Sequence, residues 1–516
     1  MTPADYFRNP LWGDRDIRAI LGPTNSGKTW RALQALKTCT PHYRGVYLAP
    51  LRLLAVEVCD ELRTAGLRVS LLTGEEQDLV DDPQVICSTI EMLDLTQDYR
   101  VAVIDEMQML SDPDRGWAWT QAFLGARADE VFVLGSPGCR GALHSLQHLT
   151  GDRLTETVTE RFTPLQARAK PLPPAQIHKG TIFVVFSRNS VIRWGEHFRA
   201  DGFRVAQIYG ASPPEVRREE ARRFREGEAD ILVATDAIAM GLNLPAHTVV
   251  LGESQKFDGQ SMGPVPLPLL RQIAGRAGRY GHHDSGIAAG MDGIAHSLVQ
   301  RALSGTDDRN ADHPLYLSPP RPWIEAVHAA VPDITTCDLL LAWKQTLSQS
   351  PVFTAPRLAE SLEKAQLIDS HPELLAASPD ERLRWVSAPV SLQDGQVATY
   401  RAFLLATMHP EQTPQVPQAH TGMRADEQES AYKLLSLYCW FHFRYPEVFR
   451  EIGQAMTGRR GCVDRIIQQI RKGLRRYCRE CGTVLPKHHS YAICDKCHHQ
   501  RFSDPDAYYG GRDSRW

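Results

Sequence analysis

The chain has 516 residues, more than a single hydrophobic core serves, so several domains are expected. With 42% hydrophobic and 23% charged residues and a net charge of −3, it has a globular composition that excludes a uniformly basic nucleic-acid coat. No apolar run approaches the ~18 residues that span a bilayer, and Met1–Tyr6 carries neither a basic nor an apolar signal region. A Gly-rich loop starting at residue 22 leaves no room for a transit peptide, and Arg is preferred over Lys, so a bacterial cytoplasm is expected.

In chain order, Ile17–Leu21 reads as a strand and Trp30–Leu36 as a helix. Between them Gly22-Pro23-Thr24-Asn25-Ser26-Gly27-Lys28-Thr29 fits the phosphate-loop form G-x-x-x-x-G-K-[ST]. Gly22 and Gly27 let the backbone close on phosphate oxygens, and the helix start aims its N–H groups at them. Lys28 reaches the β- and γ-phosphates, and the Thr29 hydroxyl holds Mg²⁺.

Further β-rich runs at Gly45–Ala49, Val69–Leu72, Val85–Ser88, Val101–Ile104 and Val131–Leu134 alternate with helical patterns. That alternation predicts a parallel α/β sheet with crossover helices. Val101–Ile104 runs into Asp105-Glu106-Met107-Gln108, a strand followed by two carboxylates. In this Walker-B arrangement Asp105 holds Mg²⁺ and Glu106 polarises the attacking water.

Thr163 to Lys179, with four prolines, reads as a linker. A second strand–helix series follows at Thr181–Phe186, Arg204–Ile208, Ile231–Ala234, Thr248–Leu251 and Gly286–Ala289, with no second phosphate loop. Two lobes sharing one such loop predict a nucleotide cleft between them. Within the second lobe, a strand ending in Thr235-Asp236 enters a turn containing Gly241. Thr235 suits a nucleic-acid phosphate, while Asp236 and Gly241 suit coupling to the nucleotide. In Gln272-Ile273-Ala274-Gly275-Arg276-Ala277-Gly278-Arg279, two arginines three apart are expected on one face of a helix start. There they can act as arginine fingers on a γ-phosphate, with Gln272 one turn earlier orienting the water.

From Pro314 the pattern becomes long amphipathic helices, among them Trp323–Ala330, Thr336–Gln349, Ala355–Ala365 and Glu427–Arg444, with no β-rich run. Cys478-x-x-Cys481 and Cys494-x-x-Cys497, 12 residues apart, match a zinc ribbon with four thiolates on one Zn²⁺. The helix leading into it is basic, with Val463, Ile466, Ile467, Ile470 and Leu474 facing inward and Arg465, Arg471, Lys472, Arg475 and Arg476 outward. A nucleic-acid backbone contact is expected there, with Tyr477, Tyr491 and Phe502 available to stack on bases.

Taken together, GPTNSGKT, DEMQ, ATDAIAMGLNL and QIAGRAGR resemble motifs I, II, V and VI of superfamily 2 helicases. The intermediate pieces Ala49–Ala55, Leu72–Glu76, Ser88–Met92 and Lys256-Phe257-Asp258-Gly259 resemble the mitochondrial degradosome RNA helicase (Suv-three) family, here as a bacterial-type member with an added zinc ribbon. The resemblance implies two RecA-like parallel-sheet lobes of the P-loop NTPase type, then an all-α C-terminal domain and the small ribbon. The divisions expected are 1–160, 161–310, 311–475 and 476–502, with a disordered tail over 503–516. It implies ATP hydrolysis by Lys28, Thr29, Asp105, Glu106, Gln272, Arg276 and Arg279. It also implies single-strand contacts near Arg52, Thr73, Thr89, Ser187 and Thr235, and 3′ to 5′ unwinding of RNA, RNA–DNA hybrids or DNA. The expected cofactors are ATP, Mg²⁺ and Zn²⁺. The expected partners are single-stranded or 3′-tailed RNA or DNA and a nuclease, with no membrane, and the chain acting as a monomer.

Three departures from that family stand out. Gly135-Ser136-Pro137-Gly138 replaces the usual Ser-Ala-Thr, no adenine-reading glutamine motif precedes residue 22, and the cysteine module is foreign to the mitochondrial pattern. Two other readings compete with an RNA helicase. One is a DNA helicase of replication or repair. The other is a zinc-ribbon nucleic-acid adaptor that uses ATP as a conformational switch.

Overall fold

The computed structural model describes residues 3–239, 244, 246–257, 261–278, 284–304, 314–392, 395–420, 422–473, 478, 481, 483–485 and 493–502, the last four by backbone alone. Expectations placed on Gly241, Asp258, Gly259, Arg279, Leu474 to Tyr477, Tyr491, the Phe502 side chain and the 503–516 tail lie outside the described residues.

The first lobe interleaves β1 (Asp16–Leu21), α1 (Lys28–Leu36), β2 (Gly45–Ala49), α2 (Arg52–Thr64), β3 (Val69–Leu72), β4 (Gln77–Asp78), β5 (Val85–Thr89), β6 (Asp98–Ile104), α3 (Gly116–Gly125), β7 (Arg127–Gly135), α4 (Arg140–Thr150) and β8 (Arg153–Val158). The strand order is β4-β3-β5-β2-β6-β7-β1-β8, and only β4 runs antiparallel to its neighbour. Every residue of β2 is buried, as are the last four of β6, which is how a strand covered on both faces reads. All six expected strands are present. The additional β4 and β8 are short or polar edge strands without an apolar signature. Because β6, β7 and β1 are parallel neighbours, the residues after Leu21 and after Ile104 emerge at the same sheet edge with one strand between them.

The second lobe contains β9 (Leu165–Ala167), β10 (Thr181–Val184), α5 (Arg188–Ala200), β11 (Val205–Ile208), α6 (Pro214–Arg225), β12 (Ile231–Ala234), β13 (Thr248–Leu251), β14 (Gln255–Phe257), β15 (Met262–Pro264), α7 (Leu267–Ala274), β16 (Gly286–Gly290) and α8 (Gly293–Ser304). Its parallel sheet runs β11-β12-β10-β13-β16-β9, and β14 with β15 makes a separate antiparallel pair. The expected linker is therefore corrected in part. Leu165–Ala167 pairs with β16 and forms the sheet edge, and three residues at an edge leave no periodic signal among prolines. Two RecA-like parallel sheets joined in sequence result.

The remainder comprises β17 (Leu315–Tyr316), α9 (Arg321–Ala330), α10 (Thr336–Ser348), β18 (Phe353–Thr354), α11 (Ala359–Asp369), α12 (Pro372–Leu375), α13 (Pro379–Val386), α14 (Val397–Met408), α15 (Ala425–His442), α16 (Ile452–Lys472) and α17 (Asp495–Phe502). It is helical as expected apart from the short parallel pair β17–β18. These helices share cores with both lobes. Trp323 and Trp343 pack into the first-lobe core beside Trp119 and Phe123, while Ile466 and Ile470 of α16 enter the second-lobe core with Phe183 and Phe198. Between them lies a separate aromatic core around Tyr400, Phe403, Tyr438, Phe441 and Phe449. Among the described residues no helix is long and apolar enough to cross a membrane.

A buried ion pair fixes the base of the first lobe. Arg15 and Asp152, both with fully buried side chains, meet at 2.5 Å. Arg15 Nη1 also donates to the carbonyls of Phe123 at 2.8 Å and Ala126 at 3.0 Å, so the guanidinium ties the start of β1 to the end of α3.

Candidate active site between the two lobes

Residues 22–29 wrap the C-terminal end of β1. Gly27 lies at φ 75°, and a Cβ there would meet the Phe162 ring at 2.7 Å, so only glycine fits. Asn25 also adopts the left-handed region, at φ 62°, which an Asn tolerates. The loop is crossed by the chain leaving β8. Thr159 N donates to Leu21 O at 2.8 Å, Thr159 Oγ1 to Ser26 Oγ at 3.1 Å, and Phe162 N to Asn25 O at 2.9 Å. Lys28 Nζ donates to the carbonyls of Gly22 at 2.7 Å and Pro23 at 2.6 Å. Burial pushes the Lys28 ammonium down from its usual range, and the charges of Glu106 and Asp105 oppose that shift. Thr29 follows on the first turn of α1.

Asp105 and Glu106 leave the end of β6 facing the same loop. Asp105 is buried, and burial, with repulsion from Glu106, pushes its carboxyl up to about 6. Its N–H donates to Leu48 O at 3.2 Å, and its oxygens accept three further hydrogen bonds. Tyr47 Oη donates to Oδ2 at 2.5 Å, Glu106 N to Oδ1 at 2.8 Å, and Trp119 Nε1 to its carbonyl at 2.9 Å. Glu106 sits at φ 53°, a left-handed conformation that costs a non-glycine residue about 1–3 kcal/mol and is typical of functional sites. Gln108 Nε2 donates to Glu106 Oε2, and Gln108 Oε1 accepts from Ser136 N at 3.0 Å. Gln108 thus links Glu106 to the Gly135–Gly138 segment, where the expected Ser-Ala-Thr is missing.

The second lobe supplies the opposite wall. Gln272 is on α7, which ends at Ala274, so Arg276 stands in the turn after a helix rather than at a helix start. Gly275 caps that helix and Gly278, at φ 68°, reverses the chain. Arg276 Nη2 donates to Ala239 O. Asp236 accepts from Lys256 Nζ, which gives the Lys256-Phe257 element a partner in the turn after β12. The two walls touch directly: Thr24 Oγ1 donates to Gly275 O at 3.2 Å and Asn25 Nδ2 to Gly278 O at 3.1 Å. Four residues in this arrangement carry no role readable from sequence: Tyr47, Gln108, Lys256 and Arg161, whose guanidinium bonds Thr24 O and Gly275 O across the cleft. Tyr47 is the one polar-tipped residue in an otherwise apolar strand, and Gln108 lies three residues after Asp105, so both carried a signal.

Residues 3–158 match the DEXQ-box helicase domain of Suv3, residues 171–281 the helicase conserved C-terminal domain, and residues 426–472 the ATP-dependent RNA helicase SUV3 C-terminal domain. The mitochondrial DExH-box ATP-dependent RNA helicase DExH16 of Arabidopsis thaliana is 31% identical over 481 residues, covering 89% of this chain and 81% of its own. The chain belongs to the Suv3 helicase family. The mitochondrial ATP-dependent RNA helicase SUV3 of Saccharomyces paradoxus is 33% identical over 486 residues, covering 88% of this chain and 64% of its own. DExH18 of Arabidopsis thaliana, also a mitochondrial DExH-box ATP-dependent RNA helicase, is 33% identical over 460 residues, with 87% and 58% covered. The chain thus spans about three fifths of the length of these last two Suv3-family relatives. Their mitochondrial names overturn the expectation of a bacterial cytoplasm. The N-terminal composition behind that expectation says little in a chain that spans part of its relatives' length.

The strand contacts implied by the Suv3 resemblance fare unequally. Ser187 is exposed at the start of α5 and Thr89 half-buried at the end of β5. Thr73 and Thr235 are buried, with hydroxyls engaged in local turns by Glu76 and Ala237. Arg52 is drawn into a junction of all three parts of the chain. Its guanidinium bonds Glu76 at 2.7 Å, Glu215 of α6 at 2.7 Å and the Tyr432 hydroxyl of α15 at 3.1 Å. Arg459 of α16 joins it through Tyr432 at 2.8 Å and Glu75 at 3.6 Å. Burial lowers the Arg52 guanidinium, but attraction to the Tyr432 oxygen and to the Glu215, Glu76 and Glu75 carboxylates outweighs it and holds the group above its usual range. On the basic helix α16, Ile466 and Ile470 face inward as expected. Arg465 is corrected from outward to half-buried, because its guanidinium is held by Gln428 at 3.0 Å, and exposed Arg471 pairs with Glu219 at 2.8 Å.

The Sγ atoms of Cys478, Cys481, Cys494 and Cys497 all lie within 4.8 Å of one another. Cys481 and Cys494 are 3.6 Å apart. Sulfurs at about 2.3 Å from a tetrahedral Zn²⁺ stand roughly 3.8 Å apart, so the donor set fits that ion.

Proposed function

We propose that this chain is an ATP-dependent helicase that translocates 3′ to 5′ along single-stranded RNA and unwinds RNA and RNA–DNA duplexes; its relatives are named ATP-dependent RNA helicases. The observation that carries the reading is the direct contact between the two walls of the cleft, Thr24 and Asn25 of the phosphate loop on Gly275 and Gly278 beside Arg276. A phosphate between these walls would join the lobes, and its hydrolysis would release them.

In this reading the loop from Gly22 through Pro23, Thr24, Asn25, Ser26 and Gly27 to Lys28 cradles the ATP phosphates. Thr29 and Asp105 would hold Mg²⁺, which supplies neutralising charge at the β- and γ-oxygens. Glu106 takes the proton of the attacking water, Gln272 orients that water, and Arg276 with Arg279 stabilises the charge that builds on the transferred group. An arginine in this role is worth roughly 10³- to 10⁵-fold in rate. Asp236 and Gly241 transmit the state of the site to the strand. Thr89 and Ser187 contact the strand by side chain, and the segments of Arg52, Thr73 and Thr235 by backbone. The four cysteines hold one structural Zn²⁺. The divisions at 160, 310, 475 and 502 remain part of the proposal, as do a nuclease partner and a monomeric state.

The test is unwinding of matched RNA, DNA and hybrid duplexes bearing 3′ or 5′ tails. The reading predicts unwinding from 3′ tails, with RNA-containing duplexes at least as fast as DNA. Far faster unwinding of the all-DNA duplex would instead support a DNA helicase.

A further inference from the structure

Arg161 lies in the short segment that leaves the first lobe, and its side chain enters the nucleotide cleft. One guanidinium serves acceptors on both walls. Nη1 donates to Thr24 O and Thr24 Oγ1 of the phosphate loop, each at 3.1 Å, and to Gly275 O of the second lobe at 2.9 Å. Nη2 donates to Ala277 O and to Gly278 O at 3.2 Å, while Nε donates to Thr163 O at 2.9 Å. All of these acceptors are uncharged. Burial and the nearby Arg276 charge push this guanidinium down to about 10, so the position is electrostatically unfavourable and is held by geometry. Gly275 and Ala277 are the neighbours of Arg276, so Arg161 grips the backbone on either side of it. The grip lies just past the C-terminus of α7, where carbonyls lack helical partners and a cation is favoured. Thr163 reinforces it: its hydroxyl donates to Gly278 O and accepts from Asn25 Nδ2 at 2.7 Å.

We propose that Arg161 is a positioning residue that fixes the 275–278 turn against the phosphate loop and so sets where Arg276 meets the γ-phosphate. The planar fork suits the task, because it holds several carbonyls in fixed directions at once. A lysine ammonium, a single point on a flexible stem, cannot span both walls in the same way. This inference rests on the ATPase reading above and adds to it a residue outside the recognised motifs.

The test compares wild type with Arg161→Ala, Arg161→Lys and Thr163→Val in strand-stimulated ATP hydrolysis, with ADP affinity measured in parallel. A misplacement near 1 Å costs about 10²-fold, so Arg161→Ala is expected to lower kcat by roughly ten- to a hundredfold. KM for ATP and affinity for ADP should stay within about threefold, because the residue touches carbonyls rather than phosphate. Arg161→Lys, which keeps the charge, is expected to recover less than about a third of the lost kcat. Thr163→Val should lower kcat by a few-fold in the same direction, and it serves if the alanine variant folds poorly. Unchanged kcat in folded Arg161→Lys and Thr163→Val, or a loss confined to KM, overturns the proposal while leaving the ATPase reading standing. Absence of strand-stimulated hydrolysis in the wild type removes that reading itself.

Discussion

The Tyr47 hydroxyl donates a 2.5 Å hydrogen bond to Asp105 Oδ2 from the strand paired beside it, with both groups buried. A buried carboxylate needs such donors to remain ionised, and ionised is the form that binds a divalent cation. Tyr47→Phe removes one charge-assisted bond, worth about 1.5–3 kcal/mol. The Mg²⁺ concentration for half-maximal ATP hydrolysis is expected to rise about tenfold or more, with the fold intact. An unchanged Mg²⁺ titration would show that Tyr47 is mere packing.

Gln108 is the link between Glu106 and the backbone of Ser136. Gln108→Ala frees both, and the expected result is loss of the increase that a nucleic-acid strand gives to ATP hydrolysis, by about tenfold, with a smaller change in the basal rate. Parallel rate measurements with and without RNA check this. Equal loss in both would make Gln108 a contributor to chemistry alone.

Far from the cleft, Arg15 and Asp152 form a fully buried pair. Asp152→Ala leaves a buried guanidinium without its counter-charge, a change that costs about 3–5 kcal/mol. The first lobe should show a clearly lowered thermal midpoint by calorimetry. Asp152→Ala with wild-type melting would mean that water reaches Arg15.

For the cysteine cluster, the purified chain is expected to carry one zinc per molecule by elemental analysis, released by a mercurial reagent. Cys481→Ser and Cys494→Ser should each lower that content severalfold. A zinc-free wild-type protein, purified without chelators, would remove the metal from the account.

The parts legible in sequence were those carried by local pattern. Buried parallel strands such as Gly45–Ala49 announce themselves as apolar runs, and the residues of the phosphate loop and Asp105-Glu106 are ordered by the strands they follow. The cysteine spacing likewise carried its own geometry. What sequence did not reveal depends on contacts between distant segments. Arg52 looks like a free basic residue until Glu215 and Tyr432 arrive from 163 and 380 residues away. Arg161, in a stretch without periodicity, gains its role only when the second lobe brings Gly275 and Ala277 to it. The small residues around Arg276 permit either end of a helix. Gly275 as the cap of α7 decides it.

The central claim is that ATP hydrolysis in the cleft between the lobes is driven by strand binding and executed by Glu106. It is tested most directly by comparing RNA-stimulated ATPase of the wild type and Glu106→Gln at saturating Mg²⁺ and ATP, with RNA binding followed in the same samples. The account predicts strong stimulation by RNA in the wild type, and at least about a hundredfold loss of hydrolysis in Glu106→Gln with RNA binding retained. A wild-type protein that binds RNA but shows no stimulated hydrolysis, or a Glu106→Gln protein that hydrolyses ATP normally, would contradict it.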